Sequence, residues 1–253
     1  MKKNVISRIS VLMLLSILAF TGCNKDEVPG DYETLSFDKQ EILDKIPAAM
    51  KNSDDTYAQQ AVNGIESAID MSSFIDDMEP PEDAIPSSKK ASGDTWMWTV
   101  SDGQMSYTFY WTYEEDDLKK YWYMDIQFND GDRYEYIYAW ESKDGKEGVI
   151  MYNFNWAQAY YGQNQGYEDL YYKYNWSVDD SGNYSFGWNY ESGDEQVDYF
   201  LQYAIEVNDD GSGSIKYYSM DELFYEMEWD AAGNGSWAYY SGGSESMSGS
   251  WTV

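Results

Sequence analysis

The feature that most restricts the fold of this chain is an alternation of apolar and polar residues that recurs through residues 95–253. Every Trp lies in this part of the chain, and no Pro follows Pro86. An alternation with a period of two places successive side chains on opposite faces of a strand, so it predicts half-buried β-strands. One such face is formed by Trp122, Met124, Ile126 and Phe128. We therefore predict a β domain that spans residues 94–253.

The turns between the predicted strands allow their register to be predicted. A three-residue hairpin loop with Gly in a left-handed third position keeps positions of equal parity opposite each other. Such loops are predicted at residues 129–131, 143–145, 180–182 and 231–233, and two-residue loops at residues 102–103 and 192–193. Each loop brings apolar side chains onto one face, whereas a slip of one residue would separate them. This agreement predicts an antiparallel meander of about 12 strands.

The predicted register defines two faces of the sheet. The loop at residues 129–131 places Asp125 opposite Glu135 and Trp122 opposite Tyr138, and the loop at residues 143–145 places Tyr138 opposite Ile150. The other predicted pairs are Phe128–Asp132, Ile126–Tyr134, Tyr136–Tyr152, Trp98–Tyr107, Trp176–Phe186, Trp188–Val197 and Met227–Trp237. The Trp-bearing face is predicted to be the core and to include Tyr134, Tyr136, Tyr138 and Trp140. The opposite face, which holds Asp125 and Glu135, is termed the second face.

Residues 38–93 are predicted to contain two helices and a linker. Asp38 and Glu41 fit a capping box, an apolar stripe follows, and Pro47 is expected to end or kink the first helix. The second helix is predicted from about Asp54. The linker, which runs to about Asp94, is marked by Pro80, Pro81 and Pro86.

The helices are the segment available to cover the aromatic face of the sheet. A wide, twisted sheet tends to curl, so we expect a curved sheet or half-barrel, with a closed barrel and a two-sheet sandwich as alternatives. In layout this loosely resembles the half-barrel lipoprotein carriers of the LolA and LolB type. That resemblance implies an apolar ligand held in the curve of the sheet.

The N-terminus has the features of a secretory leader. Lys2, Lys3 and Arg8 precede an apolar stretch over residues 11–22 that is too short to span a bilayer. The stretch ends at Thr21-Gly22-Cys23, which resembles the lipobox of bacterial lipoproteins, with Phe20 where these families usually have Leu. The resemblance implies that residues 1–22 are a signal peptide and that Cys23 carries a lipid.

Residues 24–27, with the sequence Asn-Lys-Asp-Glu, resemble the surface-export signal of Bacteroidota lipoproteins. In that signal a Lys and two acidic residues follow the lipidated Cys. The resemblance implies a protein anchored in the outer membrane that faces the cell exterior. Residues 23–37 are then a tether between the lipid and the domain.

The charge and the missing residue types exclude several functions. The chain has 46 acidic and 16 basic residues and no His. We predict no nucleic-acid partner for such a chain, because neutralising phosphates requires Lys and Arg. Without His there is no Ser-His-Asp triad and no imidazole metal ligand, and a single Cys allows no internal disulfide. Removal of the leader leaves a net charge of −33, so the membrane is reached through the lipid and not through a basic patch.

The second face carries the residue types that favour ligand binding. Aromatic rings stack on the apolar faces of sugars, and amides hydrogen-bond sugar hydroxyl groups. The candidate ligand-binding residues on this face are Tyr110, Tyr121, Tyr123, Tyr171, Asn153, Asn155 and Asn175. They favour a glycan as the ligand.

Two other chemistries are weighed on the same sheet. Asp125 and Glu135 are opposed carboxylates, and paired carboxylates with different pKa values perform acid–base catalysis in glycoside hydrolases. Arg133, predicted opposite Gln127, is expected to ease their repulsion. Residues 208–215 partly match a calcium loop, but Ser219 stands where its bidentate acid is needed. We predict no metal site and no cofactor.

The sequence therefore predicts a lipid-anchored, surface-exposed, non-catalytic binding module with a polysaccharide or protein ligand. Two alternatives stay open. One is a carrier of an apolar ligand in a cavity of the curved sheet, and the other is a glycoside hydrolase that works with carboxylates alone.

Overall fold

The computed structural model describes residues 33, 35, 39–72, 79–90, 93–101, 105–161, 170–192, 201–219 and 222–253. The leader, Cys23 and residues 24–27 lie outside the described residues, as does Asp38 of the predicted capping box. Among the helices that are described, none has the length and apolar character needed to cross a membrane.

Three helical segments precede the sheet: α1 (Lys39–Lys45), α2 (Ala48–Lys51) and α3 (Thr56–Ser72). Pro47 lies between α1 and α2, so the first predicted helix is divided where Pro cannot continue it. Asp55 caps α3, because its carboxylate accepts hydrogen bonds from the backbone N–H groups of Tyr57 and Ala58 at 2.8 and 3.2 Å. The second predicted helix is confirmed as α3.

Thirteen antiparallel strands within the described residues form one sheet, and each strand pairs with the strands before and after it in the sequence. The strands are β1 (Ile85–Lys90), β2 (Gly93–Ser101), β3 (Ser106–Glu115), β4 (Lys119–Phe128), β5 (Arg133–Ser142), β6 (Glu147–Asn153), β7 (Leu170–Val178), β8 (Tyr184–Ser192), β9 (Leu201–Val207), β10 (Gly213–Ser219), β11 (Glu222–Trp229), β12 (Gly235–Ser241) and β13 (Ser244–Trp251). A fourth helix, α4 (Trp156–Tyr161), lies between β6 and β7. The predicted meander with N-terminal helices packed on it is confirmed.

The edges of the sheet correct two expectations. β1 lies in the segment predicted as a linker, and it contains Pro86, which an edge strand tolerates because one side of its backbone needs no ladder hydrogen bonds. β1 and β13 are the two ends of the strand order, so the described sheet is open. The closed barrel and the two-sheet sandwich are therefore wrong.

The Trp-bearing face of the sheet forms the core, as predicted. Residues of all four helices join Trp96, Trp122 and Trp176 in one buried cluster. Tyr57 of α3 stacks on Trp237 of β12 with ring centroids 4.5 Å apart. On the same face, α4 packs on β4 through Trp156 and Phe128, whose centroids are 5.9 Å apart.

Two glycines on this face are required by a Trp ring on the next strand. A Cβ atom at Gly148 would lie 2.1 Å from the Trp176 ring, and one at Gly235 would lie 2.1 Å from the Trp251 ring. No real side chain reaches such distances, so each Gly provides the space in which a large ring lies flat against its neighbour.

Most of the predicted faces hold even where the predicted pairs do not. The pairs Trp176–Phe186, Met227–Trp237 and Asp125–Glu135 are confirmed. Trp98 pairs with Phe109 and not with Tyr107, and Trp188 pairs with Tyr203 and not with Val197. Both errors shift the register by an even number of residues because the connections are longer than the predicted two-residue loops, so the side chains stay on the predicted face.

The register fails by one residue in β5, where a β-bulge interrupts its pairing with β4. Met124 pairs with Ile137, but Asp125 pairs with Glu135, so Tyr136 is the extra residue. Beyond the bulge, Trp122 pairs with Ala139 and not with Tyr138. Tyr138 and Trp140 therefore lie on the second face, and their predicted place on the Trp-bearing face is wrong.

The loop after β5 reverses this inversion of the faces. It spans residues 143–146, one residue more than predicted, so Ile150 pairs with Ala139 instead of Tyr138. Gly145 has the predicted left-handed backbone with φ 71°, whereas in the loop at residues 129–131 the positive φ of 50° belongs to Asn129 and not to Gly131. The bulge and the longer loop compensate each other, so the sheet beyond β6 regains its predicted faces.

Buried tyrosines make the stability of the fold sensitive to alkali. Burial raises the pKa values of Tyr152 and Tyr174 well above their ordinary value of 10.0. In the unfolded chain these phenols ionise at their ordinary pKa, whereas in the native sheet they keep their protons, so the free energy of unfolding falls as the pH rises above that value. We expect phenolate absorbance to appear together with loss of the circular-dichroism signal. Tyr174→Phe should move this transition to higher pH, and ionisation of all tyrosines with the sheet intact would contradict the expectation.

Candidate functional site

The second face is the side of the sheet opposite the helices. On this face, the first half of β4 and the second half of β5 bring four aromatic residues together, because Tyr121 pairs with Trp140 and Tyr123 pairs with Tyr138. These four side chains, termed the aromatic platform, are half-buried. Only the two β4 residues were predicted here. The other two lie here because the extra residue at the Tyr136 bulge shifts the following side chains of β5 by one position, so that Tyr138 and Trp140 are on the second face.

The rings of the platform lie side by side. The centroids of Tyr121 and Tyr123 are 6.5 Å apart with their planes only 17° from parallel, and those of Tyr123 and Tyr138 are 5.3 Å apart. Lys119 Nζ lies 3.2 Å from the centroid of the Trp140 ring, a cation–π contact. Burial, followed by the charges of its neighbours, raises the pKa of Tyr123 to about 12, so its hydroxyl is a hydrogen-bond donor at neutral pH.

Beside the platform lies a row of polar residues across β3, β4 and β5. Tyr110 pairs with Asp125, which in turn pairs with Glu135, as predicted for the two carboxylates. Asn153 donates a hydrogen bond of 2.5 Å to Glu135 Oε1. Burial, and then the charge of Asp125, raise the pKa of Glu135 above its ordinary value, while the Asn153 hydrogen bond opposes this shift. The row can therefore accept hydrogen bonds or balance a cation.

Arg133 does not act as expected. It lies opposite Gln127, as predicted, but its guanidinium group stacks on Tyr110, with Cζ 3.3 Å from the ring centroid. The Tyr110 hydroxyl donates a 2.8 Å hydrogen bond to Gln127 Oε1, which fixes the ring in place. Tyr110 is therefore buried under Arg133 and supports the row from below, instead of offering a free stacking surface.

The remaining predicted site residues lie at different distances from the platform. Tyr171 pairs with Asn153, so it extends the polar row onto β7. Asn175 also lies on β7, and Val149 lies between it and Trp140 of the platform. Asn155 is not on the second face, because β6 ends at Asn153 and the chain turns there towards α4.

The loop that partly matched a calcium site is a hairpin turn. The Asn208 carbonyl accepts a 2.9 Å hydrogen bond from the Gly211 N–H, and Asp210 accepts hydrogen bonds from both the backbone and the hydroxyl of Ser212. The polar atoms thus bond one another within the turn. In the part of the chain that the structure describes, no group of three or more carboxylates is placed to hold a metal ion.

A second polar cluster lies on the core side of the sheet, and the sequence did not predict it. Lys120 Nζ lies 2.7 Å from Glu33 Oε2 and 3.7 Å from Glu141 Oε2, and Glu141 has 0% of its side chain exposed. Burial lowers the pKa of Lys120, but its hydrogen bond to Glu33 and the charge of Glu141 outweigh this and raise it. The cluster ties the N-terminal segment to the sheet. It is an anchoring contact and offers no open site.

Comparison with known proteins gives no matching family model, no matching curated protein and no matching solved structure.

The pair of opposed carboxylates leads to a stability prediction. Because the pKa of Glu135 is raised in the native state, ionising it costs stability as the pH rises through its ordinary value of 4.5 and beyond. Glu135→Gln removes that cost and can still accept the Asn153 hydrogen bond. We expect the variant to be more stable than the parent in urea at neutral pH and equal to it at a pH well below 4.5.

The matched control is Glu206→Gln. Glu206 is on the same face, but it pairs with Ser185 and Ser214 instead of another acid. An equal gain for both variants would mean that Glu135 only contributes to the general negative charge of the protein.

Proposed function

We propose that this protein is a lipid-anchored, surface-displayed binding module that holds a glycan on the second face without cleaving it. The observation that carries the proposal is the aromatic platform, four side chains gathered on the side of the sheet away from the helices. The half-exposed rings of Tyr121 and Tyr123, whose planes are 17° from parallel, are suited to stack on the apolar faces of sugar rings, while Lys119 covers one face of the Trp140 ring. The polar row beside the platform supplies amide, carboxylate and phenol groups for sugar hydroxyls.

The negative charge of the chain argues against anionic ligands. A net charge of −30 for the full sequence repels anionic polymers. The Asp125–Glu135 pair adds negative charge at the site itself. The proposed ligand is therefore a neutral or cationic polysaccharide. We expect weak affinity, because an open sheet face excludes little water.

The test is a glycan array followed by calorimetry on residues 28–253. Tyr123→Ala and Tyr138→Ala remove adjacent rings of the platform and should abolish the binding of any sugar found, and Tyr171→Ala should weaken it. The matched control is Tyr240→Ala, a tyrosine on the second face of β12 whose hydroxyl bonds Glu226. The proposal is wrong if no sugar binds, or if the binding survives both platform variants.

The lipid anchor and the outer-membrane location rest on residues 1–27. The lipobox-like Thr21-Gly22-Cys23 and the following Asn-Lys-Asp-Glu support them. Cys23→Ala should move the protein from the membrane fraction to the soluble fraction. Mass spectrometry that finds an unmodified Cys23 in membrane-bound protein would refute the anchor.

A glycoside hydrolase remains the second candidate, because one specific observation favours it. The opposed carboxylates Asp125 and Glu135 differ in environment, and the raised pKa of Glu135 suits a general acid. Sugar cleavage that Glu135→Gln abolishes would replace the binding proposal. The carrier alternative has less support, because helix residues such as Ile42, Met50 and Ile65 pack directly on the Trp-bearing face.

A further inference from the structure

The N-terminal segment meets the domain at one end of β4. Besides its ion pair with Lys120, Glu33 accepts a 2.8 Å hydrogen bond from Trp122 Nε1 through its backbone oxygen. Leu35 packs against the core next to it. These contacts fix the point at which the tether leaves the domain, beside the first residues of β4.

The length of the tether then limits how the domain can stand on a membrane. Ten residues lead from Cys23 to Glu33, and they reach at most about 35 Å when fully extended. The ten residues of β4 span roughly 34 Å at the rise of a β-strand. If the far end of β4 faced the bilayer, the tether would have to be stretched along the whole strand, with a large loss of chain entropy. The start of β4 is therefore the end nearest the bilayer.

The surface at that end suits a lipid bilayer. Leu118, in the turn before β4, has 74% of its surface exposed and is the apolar tip of this end. It borders a shallow depression of 550 Å³ between this turn and the loop after β5. Charged side chains of both signs line the depression, three lysines and three acids: Lys119, Lys143, Lys146, Asp117, Asp144 and Glu147. Lys143 and Lys146 are paired with Glu115 and Asp180 outside this lining, so the exposed apolar side chain that this end offers to a bilayer is Leu118.

We propose that this surface, termed the Leu118 corner, rests on the bilayer. Leu118 then lies among the lipid headgroups. The inference rests on the lipid anchor proposed above and adds an orientation to it. The strands of the aromatic platform then rise from the membrane surface, with Tyr121 and Trp140 nearest to it.

The test uses the full, lipidated protein in vesicles of phosphatidylcholine and phosphatidylethanolamine with brominated acyl chains. Because the sulfur of Cys23 carries the lipid, a Cys introduced by Leu118→Cys offers the single free thiol for a fluorescent label. The matched controls are Ile85→Cys and Met247→Cys, at residues that are 61% and 55% exposed. Along the direction of the strands, Ile85 on β1 is level with Asp125 of β4. Met247 on β13 is level with Trp122, four residues beyond Leu118, and nine strands away from β4.

We expect the brominated chains to quench the label at residue 118 and to leave the labels at residues 85 and 247 unchanged. Flotation of the vesicles is measured on the same samples. Protein that floats with an unquenched label at residue 118, or with all three labels quenched equally, overturns the proposed orientation and leaves the anchor intact. Protein that does not float overturns the anchor itself.

Discussion

Trp122→Ala is expected to cost about 3–5 kcal/mol of the free energy of unfolding, the usual range for removing a large buried aromatic side chain. Trp122 has 2% of its surface exposed and belongs to the buried cluster. Its indole N–H also donates to the backbone of Glu33, so the substitution removes a contact of the N-terminal segment as well. The difference in the free energy of unfolding is measured by urea unfolding of the two proteins. Unfolding is monitored by the circular-dichroism signal of the backbone, because tryptophan fluorescence would itself change with the substitution.

The matched control is Tyr123→Ala, the next residue along β4 but on the second face. Its ring is half-buried within the aromatic platform, so its loss should cost much less. Equal losses for the two variants would mean that both faces of β4 are covered, and the distinction between a core face and a binding face would be wrong.

Lys120→Met is the second substitution with a large expected effect, again about 3–5 kcal/mol, because it leaves a buried carboxylate without its cation. The side chain of Glu141 is 0% exposed, so water cannot replace the lysine. Adding Glu141→Met to the variant removes the uncompensated charge, and most of the lost stability should return.

An exposed ion pair provides the comparison. Lys146 Nζ lies 3.3 Å from Asp180 Oδ1, with both side chains largely in solvent, and pairs of this kind contribute roughly 0–1 kcal/mol. Lys146→Met should therefore have little effect. If Lys120→Met is equally mild, or if Glu141→Met fails to rescue it, the buried cluster does not contribute to stability as inferred.

The sequence predicted the sheet well because each strand carries its own signal. Alternating apolar residues indicated which side chains face the core, and loops such as residues 180–182 and 231–233 set the correct pairs through glycines with positive φ. The opposition of Asp125 and Glu135 followed from the same reasoning. These features are local, so a single strand and its turn were sufficient to predict them.

The features that were missed depend on the whole sheet. A bulge such as the one at Tyr136 leaves no mark in a run of alternating tyrosines, since either parity places an aromatic residue on each face. That single extra residue moved Trp140 to the second face and buried Glu141 beside Lys120. Half of the aromatic platform and the whole buried ion cluster were therefore beyond prediction from periodicity alone.

The order of the strands also separates two stages in the assembly of this protein. Every strand pairs with its neighbours in sequence, so each hairpin can form as soon as its own two strands are available. Helix α3 does not depend on a neighbour in sequence in this way. Its Tyr57 stacks on Trp237, which is 180 residues later in the chain. Until β12 is in place, Tyr57 lacks the ring on which it stacks, and a chain that ends early would expose this part of the helix to aggregation and proteolysis. The packing of helix α3 is therefore complete only after the last hairpins have been synthesised and have joined the sheet.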